Sequence, residues 1–223
     1  YSAIVRYDTK GGQVDYIEGY QKYFVKNVRG EWRIGGSCVW RKYIMIASPD
    51  KNEVLAIDSA SMQVSVIEIR TSNVSGYMVM VPEGDEIWLL PYDGKVIIRW
   101  NPTTGMITEY NQFPENFQCT NRPHGYVCME RPFSGMAFSQ ELVIVSPYWG
   151  NMFLSINKKT GEVKEWKPPF SITYELRNGY WNSGYAGKFL RKTDSLGEGS
   201  FRFFNYAERE LFDVNIRTGE YRE

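Results

Sequence analysis

The residues best suited to chemistry concentrate in two stretches of the chain, 112–134 and 167–183. The first stretch holds the single histidine, His124, together with Cys119 and Cys128 in the spacing C-x4-H-x3-C. Zinc needs about four convergent ligands, and a fourth is not evident, so no metal or other cofactor is expected. A Cys119–Cys128 disulfide would suit an exported protein, and free thiols are the alternative. A loop histidine is more often solvent-exposed than a general base, so no catalytic residue is assigned.

Aromatic and charged side chains in these stretches indicate binding. Rings can stack on a flat or apolar partner, while arginines can hold an anion or a hydroxyl group. The candidate ligand-binding residues lie in these two stretches and in two shorter loops. They are Tyr92, Asp93, Arg122, His124, Tyr126, Glu130, Arg131, Tyr148, Trp149, Arg177, Tyr180 and Trp181. The competing interpretation is a lid whose aromatic side chains form a satellite core, among them Phe113, Phe117, Phe133 and Phe170.

Three classes of function remain open. The first is a non-catalytic module that binds a protein, a glycan or another small molecule, and this is the class that the sequence favours. The second is a carbohydrate-active lyase or hydrolase that uses Asp93, Glu130 or Glu175 as acid and base, which needs carboxylates about 5–10 Å apart. The third is a structural domain within a larger sensor or surface protein. Phosphate-binding loops, nucleophile elbows and metalloprotease helices are missing from the sequence.

The amino-acid composition limits the classes of partner that this protein is expected to bind. The 223 residues carry 26 basic and 26 acidic side chains, and a net charge of zero argues against a nucleic-acid partner. Apolar runs stay well below the 18 or so residues that span a bilayer, so no membrane partner is expected. Three cysteines slightly favour a reducing cytoplasm, although a removed leader would leave the same sequence.

The elements that must position these residues repeat along the chain. Five short segments open with Asp or Asn, and four of them have Gly four places later: Asp8–Gly12, Asp58–Met62, Asn101–Gly105, Asn157–Gly161 and Asn215–Gly219. An Asx side chain can accept a backbone N–H two residues on, and Gly takes the positive φ that closes a β-hairpin. Met62 therefore predicts either a different loop geometry or a strained residue.

Strands precede and follow each of these turns. We name the four strands of each unit a to d in chain order, with the Asx turn between c and d. Predicted c strands are 53–57, 96–100, 152–156 and 210–214, and b strands are 43–47, 86–90, 141–145 and 200–204. Shorter Gly-rich a strands lie near 35–40, 76–81, 135–138 and 184–190. A helical apolar period is not sustained anywhere, so the chain is predicted to be all-β.

Four antiparallel strands that recur every 43 to 58 residues are typical of a β-propeller. A β-sandwich is the alternative, but its strands would not recur in one register. The segment 85–114 resembles a blade of the virginiamycin-B-lyase-like propellers, and 157–166 resembles the quinoprotein-type repeats. Gly35-Gly36 is similar to the kelch doublet. These resemblances imply architecture alone. The lyase-like propellers use histidine and acid pairs with a metal, and this sequence has one histidine, so their activity is not carried over.

The repeats predict one propeller domain over residues 1–223. Its approximate units are a half blade at 1–30 and four blades at 31–74, 75–114, 135–168 and 184–223, with long connections at 112–134 and 167–183. The half blade leads us to expect a portion of a longer chain whose other blades precede Tyr1, with a compact five-bladed ring as the alternative. Because d-to-a and b-to-c connections open on one side of a propeller, the candidate binding residues are expected on one loop face.

Overall fold

The computed structural model describes residues 4–26, 33–72, 75–119, 132–172, 187–206 and 208–223. For 122–124, 127–129, 176–177 and 180–181 it describes the path of the backbone as strands. One short 3-10 helix, Gln21–Tyr23, is found among these residues, and the regular structure is otherwise β. Within the described part, no helix is both long and apolar enough to span a membrane.

Four antiparallel sheets of four strands dominate the structure, as the repeats predict. The first comprises β3 (Ser37–Trp40), β4 (Tyr43–Ala47), β5 (Glu53–Asp58) and β6 (Val64–Glu68). The second comprises β7 (Tyr77–Glu83), β8 (Glu86–Pro91), β9 (Ile97–Trp100) and β10 (Ile107–Tyr110). The third comprises β13 (Phe133–Phe138), β14 (Leu142–Pro147), β15 (Phe153–Asn157) and β16 (Val163–Trp166). The fourth comprises β19 (Lys188–Lys192), β20 (Ser200–Asn205), β21 (Glu210–Asn215) and β22 (Tyr221–Arg222).

Three two-stranded hairpins complete the described strands. The first, β1 (Ile4–Tyr7) with β2 (Val14–Ile17), lies in the segment predicted as a half blade. The other two are β11 (Arg122–His124) with β12 (Val127–Met129), and β17 (Leu176–Arg177) with β18 (Tyr180–Trp181). Both lie inside the long connections, so the prediction that these were loops throughout was wrong. Strands of two or three residues are too short to show an alternating pattern, and a proline within β11 argues against a strand. The first connection also ends earlier than expected, because Phe133 begins β13.

All five Asx turns close in the same way. In the second sheet, Oδ1 of Asn101 accepts the backbone N–H groups of Thr103 at 2.9 Å and Thr104 at 3.1 Å. The amide of Gly105 donates to the carbonyl of Asn101 at 2.9 Å. Met62 keeps this geometry, with its own amide 2.8 Å from the carbonyl of Asp58, and adopts φ +60°. Of the two alternatives predicted for Met62, the strained residue is confirmed.

The chain forms two compact units, each with its own core. One unit comprises Tyr1–Tyr92 with Ile98–Thr108, and the other comprises Asp93–Ile97 with Glu109–Glu223. The first core contains Ile17, Tyr20, Phe24, Ile46, Leu55 and Ile57. The second core is rich in phenylalanine and contains Ala137, Ile144, Phe153, Phe170, Phe189, Phe201, Phe203, Phe212, Val214 and Ile216. Phe170, from the second long connection, therefore packs in a core, as the lid interpretation expects.

Glycine at the start of the a strands permits close approach between neighbouring sheets. A Cβ at Gly76, just before β7, would overlap the carbonyl oxygens of Ser48 and Lys51, in the loop after β4. Main-chain hydrogen bonds join the same two segments. Gly76 N–H donates to Pro49 O at 3.1 Å, and Tyr77 N–H donates to Ser48 O at 2.8 Å. The sequence therefore fixes the b-to-c loop of the first sheet against the a strand of the second.

Candidate functional site

Each four-stranded sheet has two chemically different ends. In the first sheet Tyr43 pairs with Asp58, which opens the Asx turn, while Ala47 pairs with Val54 beside the b-to-c connection. We call the end with the Asx turn the turn end and the other the loop end. The described candidates from the sequence, Tyr92, Asp93, Tyr148 and Trp149, lie in the b-to-c connections at the loop ends of the second and third sheets.

A compact polar cluster occupies the loop end of the first sheet. Arg33 Nη1 lies 2.5 Å from Oδ1 of Asp50, and the guanidinium group stacks on the ring of Tyr92 at 4.8 Å from its centre. Tyr92 is held in turn by its amide, which donates to Gly76 O at 2.9 Å. One face of the predicted binding residue Tyr92 is therefore covered by Arg33, a residue that the sequence did not single out.

The other carboxylate oxygen of Asp50 is the unusual group of this cluster. Oδ2 is buried and accepts no hydrogen bond from any described residue. Burial raises the pKa of this carboxyl above its ordinary value, despite the opposing charges of Arg33 and Lys51. An unsatisfied buried acceptor is costly, which makes this oxygen an unusual feature of the loop end.

The loop end of the third sheet is held together by Asn151. Its side-chain Oδ1 accepts Gln118 N–H at 2.8 Å, and its Nδ2 donates to Asn116 O at 2.8 Å. These bonds fasten the first long connection to the b-to-c loop. Trp149 is 7% exposed and meets the ring of Tyr148 edge-on at 5.0 Å. Most of the Trp149 ring is thus engaged in packing rather than offered to a ligand.

Three phenylalanine rings in and next to the first long connection pack against one another. The rings of Phe113, Phe117 and Phe133 lie 5.1 to 5.8 Å from one another. Phe117 and Phe133 are buried, and Lys95 Nζ lies 5.7 Å from the centre of the Phe117 ring. In this part of the chain the satellite core proposed from the sequence is present.

A cavity of about 200 Å³ lies at the loop end of the fourth sheet and continues along β21 and β22. Three of its wall residues form an aromatic cluster, with ring centres of Phe170 and Phe212 4.5 Å apart and Tyr221 about 6 Å from each. The polar part of the wall is formed by Ser171, Asn205, Glu208, Glu210 and Glu223. No described residue forms an ion pair with the three carboxylates. The cavity wall therefore combines aromatic and negatively charged residues.

The sequence identified one wall residue of this cavity, Phe170, among the aromatic side chains of the second long connection, although not among the candidate ligand-binding residues. It missed the others because Glu210 and Phe212 lie in a regular strand, where no local pattern marks a ligand-facing side chain. A signal was available in the segment 206–210, which carries Glu208 and Glu210 shortly after Tyr206. The second long connection does contribute to the cavity, through Phe170 and Ser171.

The remaining candidates fall outside the described side chains. For Arg122, His124, Arg177, Tyr180 and Trp181 the structure gives the strand but not the side chain, while Tyr126, Glu130, Arg131 and Glu175 are not described. The side chain of Cys128 is likewise not described, so the Cys119–Cys128 disulfide stays a prediction.

Metal-binding and thiol chemistry find little support in the described part of the chain. His, Cys, Asp and Glu side chains there form no group of three or more that could hold a metal ion. Cys38 lies in β3 and is half-buried. Burial raises the pKa of its thiol to about 11, which makes it a poor nucleophile at neutral pH.

Comparison with solved structures identifies the fold as a β-propeller. A streptogramin B lyase superposes with a TM-score of 0.57 at 14% identity, covering 85% of this chain and 53% of the lyase. Virginiamycin B lyase from Staphylococcus aureus gives 0.54 at 18% identity, covering 85% and 54%. The extracellular domain of a two-component system from B. thetaiotaomicron gives 0.56 at 9% identity, covering 99% and 25%. The chain thus spans about half the length of the lyases. No family model matches the sequence, and neither does any curated protein.

Proposed function

We propose that this propeller is a non-catalytic binding module whose ligand is a glycan without negative charge, held in the cavity at the loop end of the fourth sheet. The observation that supports this function is the composition of the cavity wall, which combines three aromatic residues with three carboxylates that have no ion-pair partner among the described residues. It corresponds to the general form of ligand sites, an apolar surface with a few convergent polar groups.

The two kinds of wall residue suit the two sides of a sugar ring. The apolar C–H face of a pyranose can pack on the exposed ring of Tyr221, which the buried rings of Phe170 and Phe212 support, while hydroxyl groups donate to carboxylate oxygens of Glu208 and Glu210. Hydrogen bonds to an ionised acceptor are stronger than neutral ones. The same carboxylates repel an anionic sugar and attract a cationic one, so the charge of the ligand discriminates between related molecules.

Three monosaccharides that differ in charge test the proposal. We expect glucosamine, which is cationic, to bind at least as tightly as neutral glucose, and glucuronate to bind most weakly, in calorimetric titrations at pH 7 and low salt. Equal binding of glucuronate and glucosamine would refute the proposal, and so would the absence of binding by all three.

Two variants and one control locate the site. Tyr221→Ala removes an exposed ring of the wall, and Glu210→Gln removes one charge while preserving the shape of the side chain. Each should weaken glucosamine binding by roughly 5- to 30-fold, since a cation–π contact or a charged hydrogen bond contributes about 1–2 kcal/mol. Glu220→Gln removes an exposed carboxylate at the turn end of the same sheet and should leave binding unchanged. If Glu220→Gln weakened binding as much as Glu210→Gln, general electrostatics would explain the result and the site would be wrong.

A further inference from the structure

The β1–β2 hairpin carries an exposed apolar face. Side chains alternate along a strand, and cross-strand partners share a face of the sheet. Two such pairs, Val5 with Tyr16 and Tyr7 with Val14, therefore lie together on one face of the hairpin. The exposed fractions of these four residues range from 47% to 69%. We call these four residues the hairpin patch.

Consecutive sheets pack through the same pair of faces in both units. In the first unit Ile17, on the opposite face of the hairpin, shares a core with Leu55 of β5. In the second unit Phe153 of β15 shares a core with Phe212 of β21. Leu55 and Phe212 both stand three residues before the Asx turn of their sheet. We call the face that carries this position the upstream face, because it packs on the sheet before it, and the other the downstream face.

The hairpin patch is the upstream face of the hairpin. Val5 and Tyr7 stand three residues and one residue before their Asx turn, and in all four sheets the equivalent residues are apolar and at most 3% exposed. Those residues are Leu55, Ile57, Ile98, Trp100, Leu154, Ile156, Phe212 and Val214. The hairpin therefore has the upstream face of a packed sheet, and no described residue covers it.

The fourth sheet has the complementary exposed face. Leu211 stands four residues before its Asx turn, a position on the downstream face, and is 47% exposed. The equivalent residues of the other three sheets, Val54, Ile97 and Phe153, are 0% exposed. Phe204, the cross-strand partner of Leu211, is only half-buried. One chain thus exposes both kinds of face that elsewhere pack on each other.

The polar residues of this downstream face suit the tyrosines of the hairpin patch. Lys188 pairs in register with Phe204, and Arg191 pairs with Arg202, which is itself bonded to Asp213 at 2.8 Å. Lysine and arginine cations are attracted to the faces of tyrosine rings. The two exposed faces therefore match in their basic and aromatic groups as well as in their apolar groups.

We propose that the hairpin patch of one copy of this chain packs on the downstream face of the fourth sheet of a second copy. Such a contact is heterologous, and two of them close a pair of copies. The chain spans about half the length of the lyases with the same fold, so two copies have about the length of one lyase. The proposed glycan site uses Phe212 and Tyr221 on the other face of the fourth sheet, so the two proposals are independent.

The exposed area is sufficient for a stable pair. The hairpin patch exposes roughly 400 Å², from the usual areas of valine and tyrosine side chains. Each copy contributes its hairpin patch to one contact and its fourth sheet to the other, so it buries roughly 800 Å². This is the area per partner of a typical specific interface.

Sedimentation equilibrium at micromolar concentrations tests the proposal. We expect a mass twice the 25.9 kDa of one chain. Tyr7→Lys and Leu211→Lys, one on each face, should each raise the dissociation constant of the pair at least about 100-fold, because both contacts then contain an unpaired cation next to basic side chains. Met106→Lys is the control. Met106 is 71% exposed and lies in the second sheet, outside both faces, so this variant should remain a pair.

The results that would overturn the proposal are distinct. A chain that sediments as a monomer throughout the micromolar range would refute it, as would equal weakening by all three substitutions. A pair that survives Leu211→Lys but not Tyr7→Lys would show that two hairpins contact each other, and the assigned partner face would be wrong. Circular dichroism of each variant verifies that it is folded, which these exposed positions favour.

Discussion

Gly76 links the packing of the first unit to its loop end, and replacement by alanine tests that link. A methyl group at Gly76 would overlap two main-chain carbonyl oxygens, those of Ser48 and Lys51. Main-chain atoms cannot rotate away as a side chain can, so the b-to-c loop and the main chain at Gly76 must both move. Displacement breaks the hydrogen bonds from Gly76 to Pro49, from Tyr77 to Ser48 and from Tyr92 to Gly76.

The cost follows from these contacts. Three hydrogen bonds at about 1 kcal/mol each, together with residual overpacking of about 1 kcal/mol, give a loss of roughly 4 kcal/mol in the free energy of unfolding. For a chain of this size that loss lowers Tm by about 8–16 °C. Urea unfolding followed by circular dichroism measures the free energy, and differential scanning calorimetry measures Tm.

Gly84→Ala is the matched control. Gly84 has φ +59° but no atom near its Cβ position, so alanine there adds backbone strain without a clash. Its expected cost is about 1 kcal/mol. If Gly76→Ala cost no more than Gly84→Ala, the close approach between the first and second sheets would be wrong, and the placement of Asp50 and Tyr92 at one loop end would lose its basis.

Three further predictions concern the turns, an ion pair and a thiol. Asn101→Ala should cost about 1 kcal/mol in urea unfolding, because two amides lose their acceptor. The hydrogen bond from Arg202 lowers the pKa of Asp213, so this pair stabilises the fold above pH 4 and the benefit is lost as pH falls through the folded pKa. Asp213→Asn should therefore be less stable than the native chain at pH 7, and the difference should narrow as the pH falls below 4, in chemical denaturation at each pH. Cys38, with a pKa of about 11, should react with iodoacetamide at pH 8 at least about 100-fold more slowly in the folded chain than in urea, by mass spectrometry.

The repeating elements could be predicted from the sequence because their signals are local. An Asx residue followed by Gly four places later fixes a hairpin by hydrogen bonds within six residues, and the strands on either side are short runs rich in β-type residues. The exceptional turn could also be predicted, since Met62 occupies the position of a glycine and adopts φ +60°. Proline residues such as Pro91 and Pro147 end β8 and β14, where the missing N–H suits a strand end.

The sites could be predicted only in part because they depend on contacts between distant segments. The cavity of the fourth sheet unites Phe170, Glu208 and Tyr221, which are separated by up to 51 residues in the sequence. Arg33 reaches Asp50 and Tyr92 in the same way. The aromatic composition of the connections was correctly observed, but composition does not show whether a ring packs inward, as Trp149 does, or faces solvent, as Tyr221 does in part.

The measurement that tests the central claim most directly is a glucosamine titration followed by amide chemical shifts in two-dimensional NMR. The account predicts that the amides of Ser171, Glu208 and Tyr221, around the cavity of the fourth sheet, shift with one common dissociation constant. Amides at the turn end of the second sheet, such as Thr103, should stay unchanged. Shifts confined to other residues, or spread evenly over the chain, would contradict binding in this cavity.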